Sequence, residues 1–176
     1  MKNNKLTRHD ERKDLVGEHS FGDLGQLLLF MTFLIVWITD SFLFKYSTML
    51  LDKTPIIIRL MIGLPLLFIA FYTIKKGLGV VFGEEREKPE IIEIGVFNTV
   101  RHPIYLGCIL FYLGLIILTF SIASLVVWII IVIFYYYISK YEEKLLLKAF
   151  GTKYESYMKR VPMLIPSILR KSNKAK

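Results

Sequence analysis

Residues 104–139 form a run of 36 amino acids without a single Asp, Glu, Lys or Arg. A bilayer core of ~30 Å is crossed by ~20 apolar residues in a helix. As one straight helix the run would be ~54 Å long at ~1.5 Å per residue, too long for a single crossing. Two crossings that turn near Thr119, Ser121 and Ser124 accommodate it. The run therefore predicts a membrane-embedded helical hairpin. Composition agrees: 54% of the chain is hydrophobic and the mean hydropathy is +0.49, above the usual apolar share of a soluble domain.

Two earlier segments have the same character. Residues 24–44 carry one charge, Asp40, and residues 55–74 carry one, Arg59. Each charge lies near the end of its span, where solvation costs little. The expectation is two separately solvated interfacial charges, with an Asp40–Arg59 ion pair as the alternative. The fold class is thus an all-α integral membrane protein of about four transmembrane helices, followed by cytoplasmic C-terminal helices.

The net charge of +8 is unevenly spread. Residues 1–23, 75–103 and 139–176 hold 20 Lys/Arg, against two, Lys45 and Lys53, in the loop after the first span. The positive-inside rule then places both termini and the middle segment in the cytoplasm of a multi-pass cell-membrane protein. Anionic lipid headgroups account for the basic balance, so no nucleic-acid partner is implied. The single cysteine, Cys108, excludes an internal disulfide and a cysteine-based zinc site. His9, His19 and His102 lack metal-ligand spacing. No cleavable signal precedes the first span, which reads as an uncleaved anchor.

Along the chain, residues 1–23 form a charged N-terminal segment and residues 24–176 read as one domain. Gly77, Gly79, Gly83, Pro89 and Gly95 argue for an irregular cytoplasmic connection over residues 75–101, flexible enough between Gly77 and Gly95 to cover a ligand. After the hairpin, Ile138, Tyr141, Leu145 and Ala149 share one helical face, and Gly151 supplies a stop. Tyr154, Tyr157, Met158 and Val161 repeat a helical spacing until Pro162 and Pro166 end it.

Two groups of residues can carry chemistry. Arg101-His102-Pro103-Ile104-Tyr105 opens the uncharged run. Pro103 suits the first turn of a helix, whose N-terminus attracts anions. Glu142-Glu143 follows the second half of the hairpin. These carboxylates suit an ammonium group, or else form a solvated helix face with Glu143 helped by Lys140 and Lys144. A hairpin brings both groups to the same cytoplasmic face. An anion site, a cation site and the aromatics Phe97, Tyr105, Tyr135, Tyr136 and Tyr141 together suit a ligand with a carboxylate, an ammonium and a sulfonium. The same aromatics also fit an interfacial belt.

The order Gly95-Val96-Phe97, RHPIYLG, uncharged hairpin, Glu142-Glu143, Phe150-Gly151, Tyr154, Tyr157 and VPMLIP resembles the isoprenylcysteine carboxyl methyltransferase family. Phospholipid N-methyltransferases have a similar C-terminal region. The resemblance spans roughly residues 89–168. It implies S-adenosylmethionine as cofactor, contacted by His102, Tyr105 and Glu142, with Phe97 at a position where the animal enzymes have Tyr. Arg101, Pro103, Ile104 and Glu143 complete the same motifs as candidate cofactor-binding residues. The backbone near Ile91 and Ile92 would pass along the adenosine. It also implies a lipid-like acceptor, either the carboxyl group of a prenylated cysteine-like molecule or a lipid headgroup. Such an acceptor would lose ~0.8 kcal/mol for every CH₂ drawn into water, so it is expected to enter sideways from the bilayer. One departure concerns the acceptor: the animal prenylcysteine enzymes have Arg four residues before the cofactor glutamate, and Ile138 stands there. An NADPH-dependent sterol or lipid reductase is the competing reading. Such enzymes resemble HPNYxGE, where this chain has Ile104 and Cys108 in place of Asn and Glu. A non-catalytic membrane protein is the third.

Overall fold

The computed structural model describes residues 20–51, 53–83 and 89–166. Most of the N-terminal segment and the basic tail from Arg170 to Lys176 lie outside the described residues. Five α-helices are described: α1 (Ser20–Ile38), α2 (Ile56–Phe82), α3 (Pro103–Thr119), α4 (Ile122–Phe150) and α5 (Thr152–Arg160). Three spans, Gly22–Phe44, Ile56–Phe82 and Ile122–Phe150, are long and apolar enough to cross a membrane, and α3 is a shorter apolar helix. No strand occurs among the described residues, so the all-α expectation holds.

α1 continues as a π-helical turn, Thr39–Phe44. The Thr39 hydroxyl donates to the carbonyls of Ile35 at 2.7 Å and Val36 at 3.2 Å. A side chain that bonds into the backbone ladder in this way loosens the regular i−4 pattern. A left-handed Lys45 (φ 53°) then ends the helix.

α2 differs from expectation. Gly77 and Gly79 do not break it, and the helix runs on to Phe82. The reason is packing against α3. Gly63, Ala70 and Gly77 recur every seventh residue on α2, and all three are buried. They meet Gly107 and Gly114, also seven apart and buried on α3. A Cβ on Gly107 would lie 2.5 Å from Ile74 Cγ1 and 3.0 Å from the Ala70 carbonyl oxygen; one on Gly114 would lie 2.8 Å from Leu67 Cδ2 and 3.4 Å from the Gly63 carbonyl oxygen. Small residues let two helix backbones approach this closely, which is a main source of association where lipid removes the hydrophobic incentive. The first part of the expected flexible cover, Gly77 to Phe82, is therefore helical, and residues 84–88 lie outside the described residues.

The predicted hairpin is present. Phe120 takes a left-handed conformation (φ 50°), and Ser121 caps α4 by accepting from the Ser124 amide at 3.1 Å. α4 then continues unbroken through Glu142 and Glu143 to Phe150, where Gly151 (φ 55°) stops it. The C-terminal helix expected after the hairpin is thus the far end of α4 itself. Ser124, Ile131, Tyr135, Ser139 and Glu143 form one buried stripe along it.

α1 packs on this hairpin. Phe33 is fully buried with its ring 4.6 Å from that of Tyr112, and Trp37 Nε1 donates to Thr119 Oγ1 at 3.1 Å.

The two intramembrane charges also depart from expectation. Asp40 is 7% exposed. It accepts from the Ser47 amide at 3.0 Å, from the Ser47 hydroxyl, and from the Ser121 hydroxyl at 2.5 Å. Arg59 donates to the Leu118 carbonyl at 2.8 Å. Neither is a freely solvated interfacial charge. Each pins an element to the α3–α4 turn; the buried Asp40 carboxylate replaces its lost hydration with these hydrogen bonds, and the half-buried Arg59 reaches the end of α3.

Candidate functional site

The opposite end of the bundle gathers the remaining buried charge. Pro103 occupies the first turn of α3 and His102 its N-cap. The VPML stretch after α5 runs alongside. The Arg101 amide donates to the Pro162 carbonyl at 2.9 Å, and the His102 amide to that of Met163 at 3.1 Å. This end of α3 therefore has one of its amides already engaged by the chain itself, and its affinity for an anion rests more on side chains than on free backbone donors.

Arg101 clasps three elements. Its Nε donates to Glu143 Oε1 at 2.7 Å, with Nη2 at the same distance from that oxygen. Nη1 donates to the Met158 carbonyl at 2.9 Å and to the Val161 carbonyl. The two charged side chains are only 8% and 2% exposed. Glu143 is therefore not a solvated residue helped by Lys140 or Lys144. It is half of a buried pair that ties the end of α5 to α4. Lys140 lies instead over the Tyr136 ring, 5.8 Å from its centre.

Glu142, the adjacent residue, points elsewhere. It accepts from the Tyr105 hydroxyl, and its Oε2 is 3.4 Å from His102 Nδ1. His102 Nε2 is 3.4 Å from Glu143 Oε1. The imidazole thus sits between two carboxylates. Burial pulls its pKa down, but the hydrogen bonds and charges of Glu142 and Glu143 outweigh this and hold it above the ordinary histidine value. Protonation of His102 is favoured by the same two carboxylates that flank it. The Tyr105 ring stacks parallel to His102 at 5.6 Å and lies 4.9 Å from Tyr135, tilted.

This cluster is not internally complete. Glu143 Oε2 and Ser139 Oγ are buried without a hydrogen-bond partner, and the buried His102 Nε2 has only its long 3.4 Å contact to Glu143 Oε1. Native structures leave few such atoms, and these three share one end of the α3–α4 pair. No group of three His, Cys, Asp or Glu suited to a metal occurs among the described residues.

The structure brings together Arg101, His102, Tyr105, Glu142 and Glu143 from the sequence candidates. Phe97 belongs to a 3-10 turn, Gly95–Asn98, and its carbonyl accepts from the Tyr157 hydroxyl at 2.6 Å. Ile91 packs against Tyr154, Tyr157 and Val161, and Ile92 is half-buried beside it in the chain. Pro103 is fully buried. Ile104 turns toward α2, where its Cγ1 fills the space beside Gly77. Sequence reasoning missed Ser139. Its signal was a polar residue three and four positions before Glu142 and Glu143, hence on the same helix face.

The fold and site define a polytopic α-helical membrane protein with a buried, incompletely paired charged cluster at one end. A family model described as phospholipid methyltransferase matches residues 56–153, which encloses α2, α3, α4 and the acid pair. The chain belongs to that family. Methanethiol S-methyltransferase of Crocosphaera subtropica (strain ATCC 51142 / BH68) is 40% identical over 76 residues, covering 43% of this chain and 29% of that protein. The matched stretch is thus less than a third of that relative.

Proposed function

We propose that the protein is an S-adenosylmethionine-dependent methyltransferase whose cofactor is held at the end of α3 and α4. The observation that carries this reading is the buried Glu143 Oε2 without a hydrogen-bond partner, next to a His102 Nε2 that makes only a long 3.4 Å contact to Glu143 Oε1 and beside the Tyr105–Glu142 hydrogen bond. A protonated imidazole offers a donor to a carboxylate. Glutamate oxygens offer acceptors to an ammonium, and the Tyr105 and Tyr135 rings offer π faces to a sulfonium. The donor set therefore fits the three charged groups of this cofactor. When bound, the cofactor supplies an electrophilic methyl group. The chain's own contribution is to orient the donor, keep water out and hold His102 protonated.

The acceptor we propose is lipid-like. Only 17% of an 18-residue apolar stretch in each of the first two spans, and 22% of one in α4, is buried within the protein, so their apolar faces suit a bilayer. An acceptor with an acyl or prenyl chain would lose ~0.8 kcal/mol for each CH₂ drawn into water, which favours sideways entry. Ile138 packs against the apolar core, so that position offers no cation to a substrate carboxylate. A lipid headgroup then fits better than a carboxyl group. A small thiol is the second reading, favoured by the methanethiol S-methyltransferase relative. Incubating the purified protein with methyl-deuterated cofactor, with lipid extract or with a thiol panel, tests the choice by mass spectrometry. A labelled lipid supports the first reading and a labelled thioether the second. Label in neither pool counts against both.

A further inference from the structure

The buried stripe of α4 passes from Tyr135 through Ser139 to Glu143. Ser139 is 0% exposed, yet its Oγ has no hydrogen-bond partner. A helical hydroxyl in an apolar setting normally returns its proton to the carbonyl one turn back. Thr39, Thr73 and Thr119 of this chain all do so, whereas Ser139 does not. Its neighbours one turn on are Glu142 and Glu143, and the Glu143 Oε2 is likewise buried and unpartnered. A second unpartnered hydroxyl, Ser41, lies at the other end of the bundle, beside Asp40.

Leaving a buried hydroxyl and a buried carboxylate oxygen unbonded costs free energy. Two such atoms a helical turn apart form a polar site that awaits donors. An ammonium has three N–H donors and no acceptor, as a lysine ammonium does. Glu142 and Glu143 supply two acceptors, and one hydroxyl oxygen completes the set. We propose that Ser139 is a cofactor-binding residue, its hydroxyl serving as the third acceptor for the ammonium of the cofactor's amino-acid end. This assignment rests on the S-adenosylmethionine reading above and adds a residue on the inner side of the acid pair.

The proposal predicts effects of opposite sign in one variant. Ser139→Ala removes an unbonded buried hydroxyl, so the ligand-free protein should unfold at the same temperature or higher. The same variant should bind S-adenosylhomocysteine about tenfold more weakly, the factor expected of a hydrogen bond to a charged group. It should bind 5′-methylthioadenosine, which lacks the amino-acid end, as wild type does. That second probe also reports whether the pocket remains folded. Equal affinity of variant and wild type for S-adenosylhomocysteine would overturn the assignment. So would equal losses for both probes, or a lower unfolding temperature without ligand, since each gives Ser139 a packing role. If wild type binds neither probe, the cofactor reading itself fails and takes this assignment with it.

Discussion

Arg101→Met is the perturbation whose consequence follows most directly from the geometry. The substitution keeps an unbranched stem and removes the guanidinium. Glu143, 2% exposed, then loses its short ion pair and keeps only His102 nearby. The carbonyls of Met158 and Val161 lose their donor as well. Removing one partner of a buried pair typically costs ~3–5 kcal/mol, because the other charge stays buried. That is a large share of the ~5–15 kcal/mol by which a folded protein is stable. Denaturant unfolding of the detergent-solubilised protein, followed by the fluorescence of Trp37 and Trp128, measures the loss. Hydrogen exchange should localise it to α5. Arg101→Met combined with Glu143→Leu removes both charges, so the double variant should recover much of the loss, with a coupling of at least ~1 kcal/mol. A single-variant cost below ~1 kcal/mol, the level of an exposed ion pair, would refute the clasp. Additive costs in the double variant would refute it equally.

Other outcomes follow from the same structure. Gly107→Ala should cost ~1–3 kcal/mol, because its Cβ would meet the Ala70 carbonyl at 3.0 Å, and a backbone atom cannot move aside. Gly79→Ala, with nothing within 4 Å, should leave stability unchanged or raise it by up to ~1 kcal/mol in the same denaturant titration. The pKa of His102 is raised above 6.5 by Glu142 and Glu143. Its contribution to stability is therefore fully present below pH 6.5 and fades as pH rises through the elevated value. Unfolding curves of wild type and His102→Gln should converge over that rise, and a constant gap would contradict the protonated imidazole. Cysteines introduced at residues 2 and 174 of a Cys108→Ser background should resist labelling by impermeant reagents from outside intact cells; labelling there would reverse the proposed orientation.

Much of the architecture was legible because charge is so costly in lipid. The uncharged run from Ile104 to Ser139 forced a hairpin, and its turn falls at Phe120 and Ser121. The convergence of the RHPIY segment with Glu142 and Glu143 followed from that hairpin alone. Gly77 and Gly79 read as helix breakers in the sequence, yet α2 continues through both to Phe82. The overlooked signal was the seven-residue spacing of Gly63, Ala70 and Gly77 against Gly107 and Gly114, which converts glycines from interruptions into a contact surface. Asp40 reads as a solvated charge because its partners Ser47 and Ser121 lie 7 and 81 residues away, and no local pattern announces a hydroxyl pair at such separations. The division of labour between Glu142 and Glu143 was equally hidden. Consecutive helical residues point about 100° apart, so one can face Tyr105 while the other is closed over by Arg101.

Whether the His102–Tyr105–Glu142 cluster binds S-adenosylmethionine is decided by titration calorimetry with its demethylated product. The purified protein should bind S-adenosylhomocysteine and give no heat with NADPH. Glu142→Ala should weaken S-adenosylhomocysteine binding by about tenfold or more. Binding of NADPH instead, or equal affinities for wild type and Glu142→Ala, would contradict the cofactor reading.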